Sequence, residues 1–420
     1  MASDRALDVA SRLWGWRPHS DGQRDWILCD APIKVASCGR RWGKSESTAL
    51  DVALFALERP GTIQMVMAPT SDQTAIIMDE VSRRLHSCPG LSGCIVERRS
   101  PYHSIKFRDG GKDRQPTTIA ARTLGLTGKG LRGHKCHRAI IDEAAFVPAD
   151  IVERVVFPML ADYDGQLVMI STPNGRNLFW KLWQEGQDDG QIRARSFRFP
   201  SSSNPYISQS FLEHERLSRP ERIWRAEYEA AFIEDGGQVF RRVRDAVRTE
   251  TKGTGPYVAG IDWARTNDFT VITVMDAMTH EVVFVDRFNQ VDYAVQVGRV
   301  QAMQQRFNCT TIVPEANSIG QPLIEQLFRL GLPVQPFVTS NASKAEVVER
   351  LALELEQGLI TLPAFEPLLL ELEAFGMERL ASGLIRYAAP EGTHDDCVMS
   401  LCLALYACGQ RVSYAPALWN

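Results

Sequence analysis

The segment Ser37-Cys38-Gly39-Arg40-Arg41-Trp42-Gly43-Lys44-Ser45 constrains this chain most, because it follows a strand-like run, Ile33 to Ala36, and leads into an apolar-periodic helix through Leu50 and Phe55. It reads as a phosphate-binding loop. Such a loop needs glycines where backbone N–H groups turn inward on phosphate oxygens, a lysine for the β and γ phosphates and a hydroxyl for Mg²⁺. Gly39 and Gly43, Lys44 and Ser45 meet these needs, with Arg40, Arg41 and Trp42 between them, and the following helix points its positive end at the anion. Cys38 stands where the usual G-x-x-x-x-G-K-S spacing puts its first glycine, so a chance G-K-S in a surface turn is the alternative.

The stretch His137-Arg138-Ala139-Ile140-Ile141-Asp142-Glu143-Ala144 weighs against chance. A short apolar run ending in two carboxylates is expected to be a buried parallel strand that offers both at its C-terminal edge, where open α/β sheets bind ligands. Asp142 is then placed to hold Mg²⁺, directly or through water, and Glu143 to polarise the attacking water. A strand followed by a solvated acidic turn is the plainer reading.

At 420 residues two domains are expected, and the hydrophobic fraction of 44% with a charged fraction of 23% is that of an ordinary globular protein. No apolar run approaches a membrane span and the amino terminus lacks a signal-peptide layout, which predicts a cytosolic protein. Nine cysteines without a C-x-x-C pair argue for reduced, mostly buried thiols rather than a disulfide framework or a zinc site. A formal charge of −4 gives no global nucleic-acid signature, so DNA contact would come from local patches such as Arg241, Arg242, Arg244 and Arg248.

The first half alternates strand-like runs (62–68, 104–107, 138–142 and 167–171) with helical stretches, the α/β pattern. Residues 179–244 read as a helical lid closing a first domain of 1–244, and 245–256 as a linker to a second domain of 257–420. That half begins with closely spaced β-type runs, 257–264, 269–276 and 281–288, followed by a helix at 293–307, a strand at 310–316, a helix at 319–330 and a strand at 334–338. Three antiparallel strands followed by alternating helices and strands is the order of an RNase H-like fold.

A second set of carboxylates falls on that fold. Asp262 ends the first strand and Glu315 the fourth, and Asp395 and Asp396 open a helix running to Cys408. Hard oxygen ligands facing one cavity suit paired Mg²⁺ or Mn²⁺ ions. Individually, aspartates at strand ends are common turn formers, and the Asp395-Asp396 pair would serve equally to cap its helix. Asp268 is a weaker candidate near the metals, and Lys344 has a phosphate contact or a solvated face as its alternatives.

With both constellations in view, the chain resembles the large terminase subunits of tailed bacteriophages over nearly its whole length. The resemblance rests on Pro18 to Gln23, a glutamine-bearing adenine motif; the R-R-W-G-K-S loop; Gly130-Leu131-Arg132-Gly133 ahead of I-I-D-E-A; Ile170-Ser171-Thr172-Pro173, a coupling motif; and G-I-D-W-A, V-P-E-A-N and T-H-D-D. It implies a P-loop ATPase domain of the additional-strand type and an RNase H-like nuclease domain, with ATP and Mg²⁺ as cofactors and Mn²⁺ an alternative for the nuclease. On the same ground Gln23 would bind adenine and Arg132 would complete a neighbouring subunit's ATP site, with Arg40 or Arg41 as the alternative finger.

The implied partners are double-stranded DNA, a portal protein, a small terminase subunit and further copies in a ring, expected to be a pentamer, with a monomer as the isolated form and no membrane. The expected place is the host cytoplasm and, transiently, the portal vertex of a procapsid, not the finished virion. The contrasting expectation is a helicase-like or recombination ATPase whose RNase H-like half only binds nucleic acid. The complete acidic set separates the two, because unpaired carboxylates repel a phosphate backbone.

Overall fold

The computed structural model describes residues 3–108, 115–125, 128–188, 193–233, 238–250, 252–263, 268–317, 320–379, 385–390 and 392–409. The chain divides into two compact units, one chiefly of Met1–Leu217 and Glu221–Glu234, the other chiefly of Asp235–Glu378 and Ile385–Asn420. Ala264, Ile319 and the segment 410–420, which the sequence reading used, lie outside the described residues.

The first unit is built on an eight-stranded sheet. Its strands are β1 (Ile33–Cys38), β2 (Ile63–Ala68), β3 (Ile95–Arg98), β4 (Ser104–Phe107), β5 (Thr118–Thr123), β6 (Arg138–Asp142), β7 (Gln166–Ser171) and β8 (Ala194–Phe199), in the spatial order β3-β4-β5-β2-β6-β7-β1-β8. From β5 to β8 all pairings are parallel, while β3 and β4 run antiparallel at one edge. β1 and β6 are buried along their whole length, as strands covered on both faces must be. One face packs on the helices Lys44–Glu58 and Ser71–His86 through Leu50, Ala53, Ile77 and Val81. The other is filled by Ile151, Val152, Val155 and Leu182. The additional strand is β7, inserted between the phosphate-loop strand β1 and the acidic strand β6.

β3, β5 and β8 escaped the sequence reading. β8, Ala-Arg-Ser-Phe-Arg-Phe, alternates polar and apolar residues only from Ser196 onward, and its stretch reads as helical because tryptophans and phenylalanines crowd around it. The expected lid of 179–244 is therefore interrupted by a sheet strand, and helices Gln209–Leu217 and Glu221–Glu227 follow it.

The second unit carries the short strand β9 (Val247–Arg248) and a four-stranded sheet of β10 (Tyr257–Asp262), β11 (Thr270–Asp276), β12 (Val282–Phe288) and β13 (Thr311–Pro314), ordered β12-β11-β10-β13. The β12-β11-β10 pairings are antiparallel and β10-β13 is parallel. This is the RNase H-like order. The expected strand at 334–338 is reduced to the single bridges Ile312↔Val334 and Glu315↔Phe337, because Pro333 and Pro336 bring no N–H to a ladder.

This unit starts upstream of the expected boundary. Val239, Phe240 and Val243 are buried in its core with Leu351 and Phe375. The stretch expected as a linker is folded too: Ala246 is buried, β9 pairs with Leu362–Pro363, and the Thr254 and Gly255 N–H groups donate to Asp276. The expected basic patch is largely spent internally. Arg244 is clamped by Glu366 and Glu373, Arg242 reaches Asp245, and Arg248 donates to backbone carbonyls. The nine cysteines are all free thiols, and among the described residues no helix is long and apolar enough to cross a membrane.

Candidate active sites

The phosphate loop leaves β1 at Cys38. That residue is wholly buried, pairs with Phe199 and has no positive φ, which is why a side chain is accepted where related loops use glycine. The reversal is made later, by Arg41 (φ 60) and Gly43 (φ 104). Left-handed backbone is costly for arginine, and neighbouring segments hold it in place. Asn204 donates to the carbonyls of Arg41 (2.9 Å) and Trp42 (3.3 Å), and Ser201 Oγ to that of Arg40 (2.7 Å). Gly39 is needed for close approach: a Cβ there would lie 2.5 Å from both Ser201 Oγ and the Tyr228 carbonyl. Trp42 stacks on Phe199 with ring centroids 4.0 Å apart.

Lys44, at the start of the helix, is paired with Glu143 and lies 3.4 Å from Asp142 Oδ1. Burial pulls the Lys44 pKa down, but the two carboxylates outweigh it and the net shift is upward. Burial raises Asp142, with Lys44 opposing. Glu143 sits in left-handed backbone (φ 51); its N–H donates to Asp142 Oδ1 at 2.9 Å, and Ser171 Oγ at the end of β7 donates to its carboxylate at 3.2 Å. The coupling-motif serine thus touches the candidate catalytic glutamate.

An open cavity of about 700 Å³ lies over these groups, lined among others by Arg40, Arg41, Lys44, Glu143, Thr172 and Phe211. Ser45, half-buried, follows Lys44 on the same helix turn.

The remaining candidates of this unit are placed differently. Gln23 is buried with both ends of its amide used, Nε2 donating to Ser47 (2.8 Å) and Oε1 accepting from the His19 N–H (2.8 Å). It ties the helix Asp21–Leu28 to the phosphate-loop helix. Arg40 is turned onto Glu227, both as an ion pair and through its N–H to the Glu227 carbonyl. Arg41 is exposed, with its guanidinium 5.8 Å from the Phe211 ring centroid. Arg132 is exposed at the end of a short turn, Lys129–Leu131, whose Leu131 is buried in the core. The bracing residues Ser201, Asn204 and Glu227 had no signal in the sequence, because their role exists only once β8 lies beside β1.

In the second unit, Asp262 ends β10 and is 7% exposed. Glu315 follows β13 and its N–H donates to the Ile261 carbonyl at 2.9 Å, which brings the two carboxylates side by side. Asp395 and Asp396 arrive on the helix Asp396–Cys408, which lies directly on β10. A Cβ on Gly260 would come within 2.2 Å of Ala404 N and Ser400 O, so only glycine lets the helix approach this strand. Burial pushes the Asp262 pKa well up, and Glu315, Asp396 and Asp395 push in the same direction.

Asp396 is raised to about 6, chiefly by burial and against the Phe269 N–H that donates to it at 3.0 Å. Asp395 pairs with Lys344 at 2.9 Å, so that lysine serves a carboxylate. Asp268, His394 and Asp396 bring ligand-type atoms within 4.8 Å of one another. The raised pKa values of Asp262 and Asp396 mark a site short of positive charge, and hard carboxylates with that deficit fit Mg²⁺ or Mn²⁺.

Comparison with known proteins identifies the family. The family model described as the terminase large subunit, T4likevirus-type, N-terminal, matches residues 35–244, and the terminase RNaseH-like domain matches residues 259–407. The terminase large subunits of Thermus virus P23-45 and Thermus phage G20c are each 28% identical over 95% of this chain and 89% of theirs. The solved large terminase of another thermophilic bacteriophage, 12% identical, shares the fold over 93% of this chain and 99% of its own, with a TM-score of 0.57. That large terminase has also been solved in complex with ATP-gamma-S (TM-score 0.54, 13% identical, 92% and 98% covered). The chain belongs to the terminase large subunit family.

Proposed function

We propose that this chain is a genome-packaging motor that hydrolyses ATP to move double-stranded DNA into a procapsid, and a metal-dependent endonuclease that cuts concatemeric DNA. The observation that carries the reading is the pairing, in one chain, of a lysine-neutralised carboxylate site on a P-loop sheet with an under-neutralised one on an RNase H-like sheet.

In the first site the loop N–H groups and Lys44 receive the phosphates of ATP. Ser45 and Asp142 are the groups that would hold Mg²⁺. Lys44 has to exchange Glu143 for phosphate oxygens, which frees the Glu143 carboxylate to orient water, with Ser171 keeping hold of it. Arg132, exposed on its loop, is assigned to the neighbouring subunit's site, where a cation supplied in trans stabilises transition-state charge. Gln23 then acts on the nucleotide by positioning the loop helix, since its own amide is paired.

In the second site Asp262, Glu315, Asp395 and Asp396 would hold the divalent ions. When bound, such ions activate water and stabilise the leaving oxygen of a phosphodiester. The protein's part is to hold the carboxylates converged, and bound cations would favour their ionised form. A module that only bound DNA would have no reason to gather these carboxylates in one place, with Asp262 buried among them. The ring of subunits, the portal protein and the small terminase subunit are the assembly partners of this reading, with the host cytoplasm and the portal vertex as its place of action.

The test is a separation of functions in the full chain. Asp262→Asn is expected to lose metal-dependent cleavage and keep ATPase activity, and Glu143→Gln to do the reverse. A variant at one site that abolished both activities in folded protein would sink the two-site assignment.

A further inference from the structure

A helix's first turn leaves N–H groups unpaired, and an aspartate at the N-cap ordinarily satisfies one of them. The helix Asp396–Cys408 is different. Its N-cap residue, Asp395, makes no capping bond and pairs with Lys344 instead. The Cys397 N–H is satisfied from outside, by Glu371 Oε2 at 2.7 Å. Glu371 belongs to the helix Glu366–Ala374 and is 8% exposed. Its other oxygen accepts from Arg287 Nη2 at 3.2 Å. The Arg287 guanidinium covers the Phe269 ring, 3.4 Å from its centroid, and the Phe269 N–H donates to Asp396 Oδ2. A continuous chain of contacts therefore runs from Glu371 to the two aspartates along two routes, the helix start and the Arg287–Phe269 stack.

We propose that Glu371 is a positioning residue of the nuclease site: it caps the helix in place of Asp395 and braces Arg287 against Phe269, which leaves both aspartates available beside Asp262 and Glu315. The proposal rests on the nuclease reading of that acidic set. Its logic is that of outer partners that orient metal ligands. If Asp395 had to cap its own helix, its carboxylate would be drawn back to the Cys397 or Val398 N–H of the first turn and away from the ions.

The experiment uses the full chain and two readouts, Mn²⁺ binding followed by the EPR signal of free Mn²⁺, and cleavage of plasmid DNA as a function of Mn²⁺. Glu371→Gln keeps the shape and an acceptor for Cys397 but removes the charge that holds Arg287. It is expected to weaken Mn²⁺ binding by about tenfold or more and to lower cleavage at limiting Mn²⁺ by a similar factor, with ATPase activity unchanged. Arg287→Lys leaves the cap intact and removes the planar cover over Phe269; it carries the test if Glu371→Gln does not fold, and the same direction of change is expected.

Mn²⁺ binding and cleavage within about twofold of the parent in either folded variant overturn the positioning role. Asp262→Asn measured alongside separates the two claims. If it binds and cuts like the parent, the nuclease assignment itself fails; if it is inactive while Glu371→Gln is unchanged, only the role of Glu371 fails.

Discussion

The two acidic sites of this chain are built from the same residue types and are balanced in opposite ways. At the end of β6, Asp142 and Glu143 share Lys44, a cation that the fold itself supplies. At the end of β10, Asp262 has Glu315, Asp396 and Asp395 for neighbours, and its pKa is driven up by burial first and then by all of them. The lysine of the first site is held by carboxylates that a triphosphate must displace, so that site waits for an anion. In the second site Lys344 pairs with Asp395, yet the raised pKa of Asp262 marks a site still short of positive charge, so it waits for cations. The contrast explains how one chain keeps two phosphate chemistries apart without relying on the bound metal to distinguish them.

The largest effect that would break this contrast is at Asp262. Asp262→Asn removes the charge proposed to hold metal while preserving shape, and cleavage in a Mg²⁺ or Mn²⁺ assay is expected to fall by about a thousandfold or more, with ATP turnover unaltered. Next comes Glu143→Gln, expected to lower ATP turnover by about a hundredfold or more while nucleotide binding, measured by calorimetry, persists. Lys44→Ala should weaken both, because it removes the cation that serves the phosphates and the carboxylates alike. Parent-rate hydrolysis by Glu143→Gln would show that the positive charge at Lys44 is matched to some other base.

Arg132→Ala sharpens the comparison across subunits. Alone it is expected to be nearly inactive as an ATPase, and mixing with Glu143→Gln should restore part of the activity, since each variant supplies the half-site the other lacks. No recovery in demonstrably mixed rings would assign Arg132 a role in its own subunit.

A smaller, graded effect follows from pH. Asp396 titrates near 6 in the folded, metal-free chain, above an ordinary carboxylate. The folded state therefore binds that proton more tightly than the unfolded state, so its contribution to stability is greatest below the unfolded pKa and is lost as pH rises to about 6. Metal binding needs the ionised form, so Mn²⁺ affinity should fall as pH drops through about 6, with protons released on binding, a change that calorimetry in buffers of different ionisation enthalpy would read. The smallest effect is expected at Arg244. Its guanidinium is committed to Glu366 and Glu373, so Arg244→Ala should leave the salt dependence of DNA binding unchanged.

Much of this was legible in the sequence because backbone position alone decides it. A strand that ends in two carboxylates delivers them to a sheet edge whatever surrounds it, and that holds for β6, for Asp262 on β10 and for Glu315 after β13. The RNase H-like order also came from local runs and their spacing. What stayed hidden depends on residues meeting across the fold. Ser201 and Asn204 brace a loop far away in sequence, Glu371 reaches Cys397 from a helix that carries no motif, and Gln23 spends its amide on Ser47. The Thr- and Gly-rich stretch 245–256 looks like a linker until Asp276 is seen to accept its N–H groups. The arginine patch misled for a similar reason: clustered charge along the chain says nothing about the carboxylates that Glu366 and Glu373 bring from elsewhere.

The most direct measurement is anomalous diffraction from crystals of the full chain soaked in Mn²⁺ without nucleotide. The charge contrast predicts strong peaks among Asp262, Glu315 and the Asp395-Asp396 pair and none between Lys44 and Asp142, where the lysine already occupies the carboxylates. A peak at Lys44 with none beside Asp262 would contradict it.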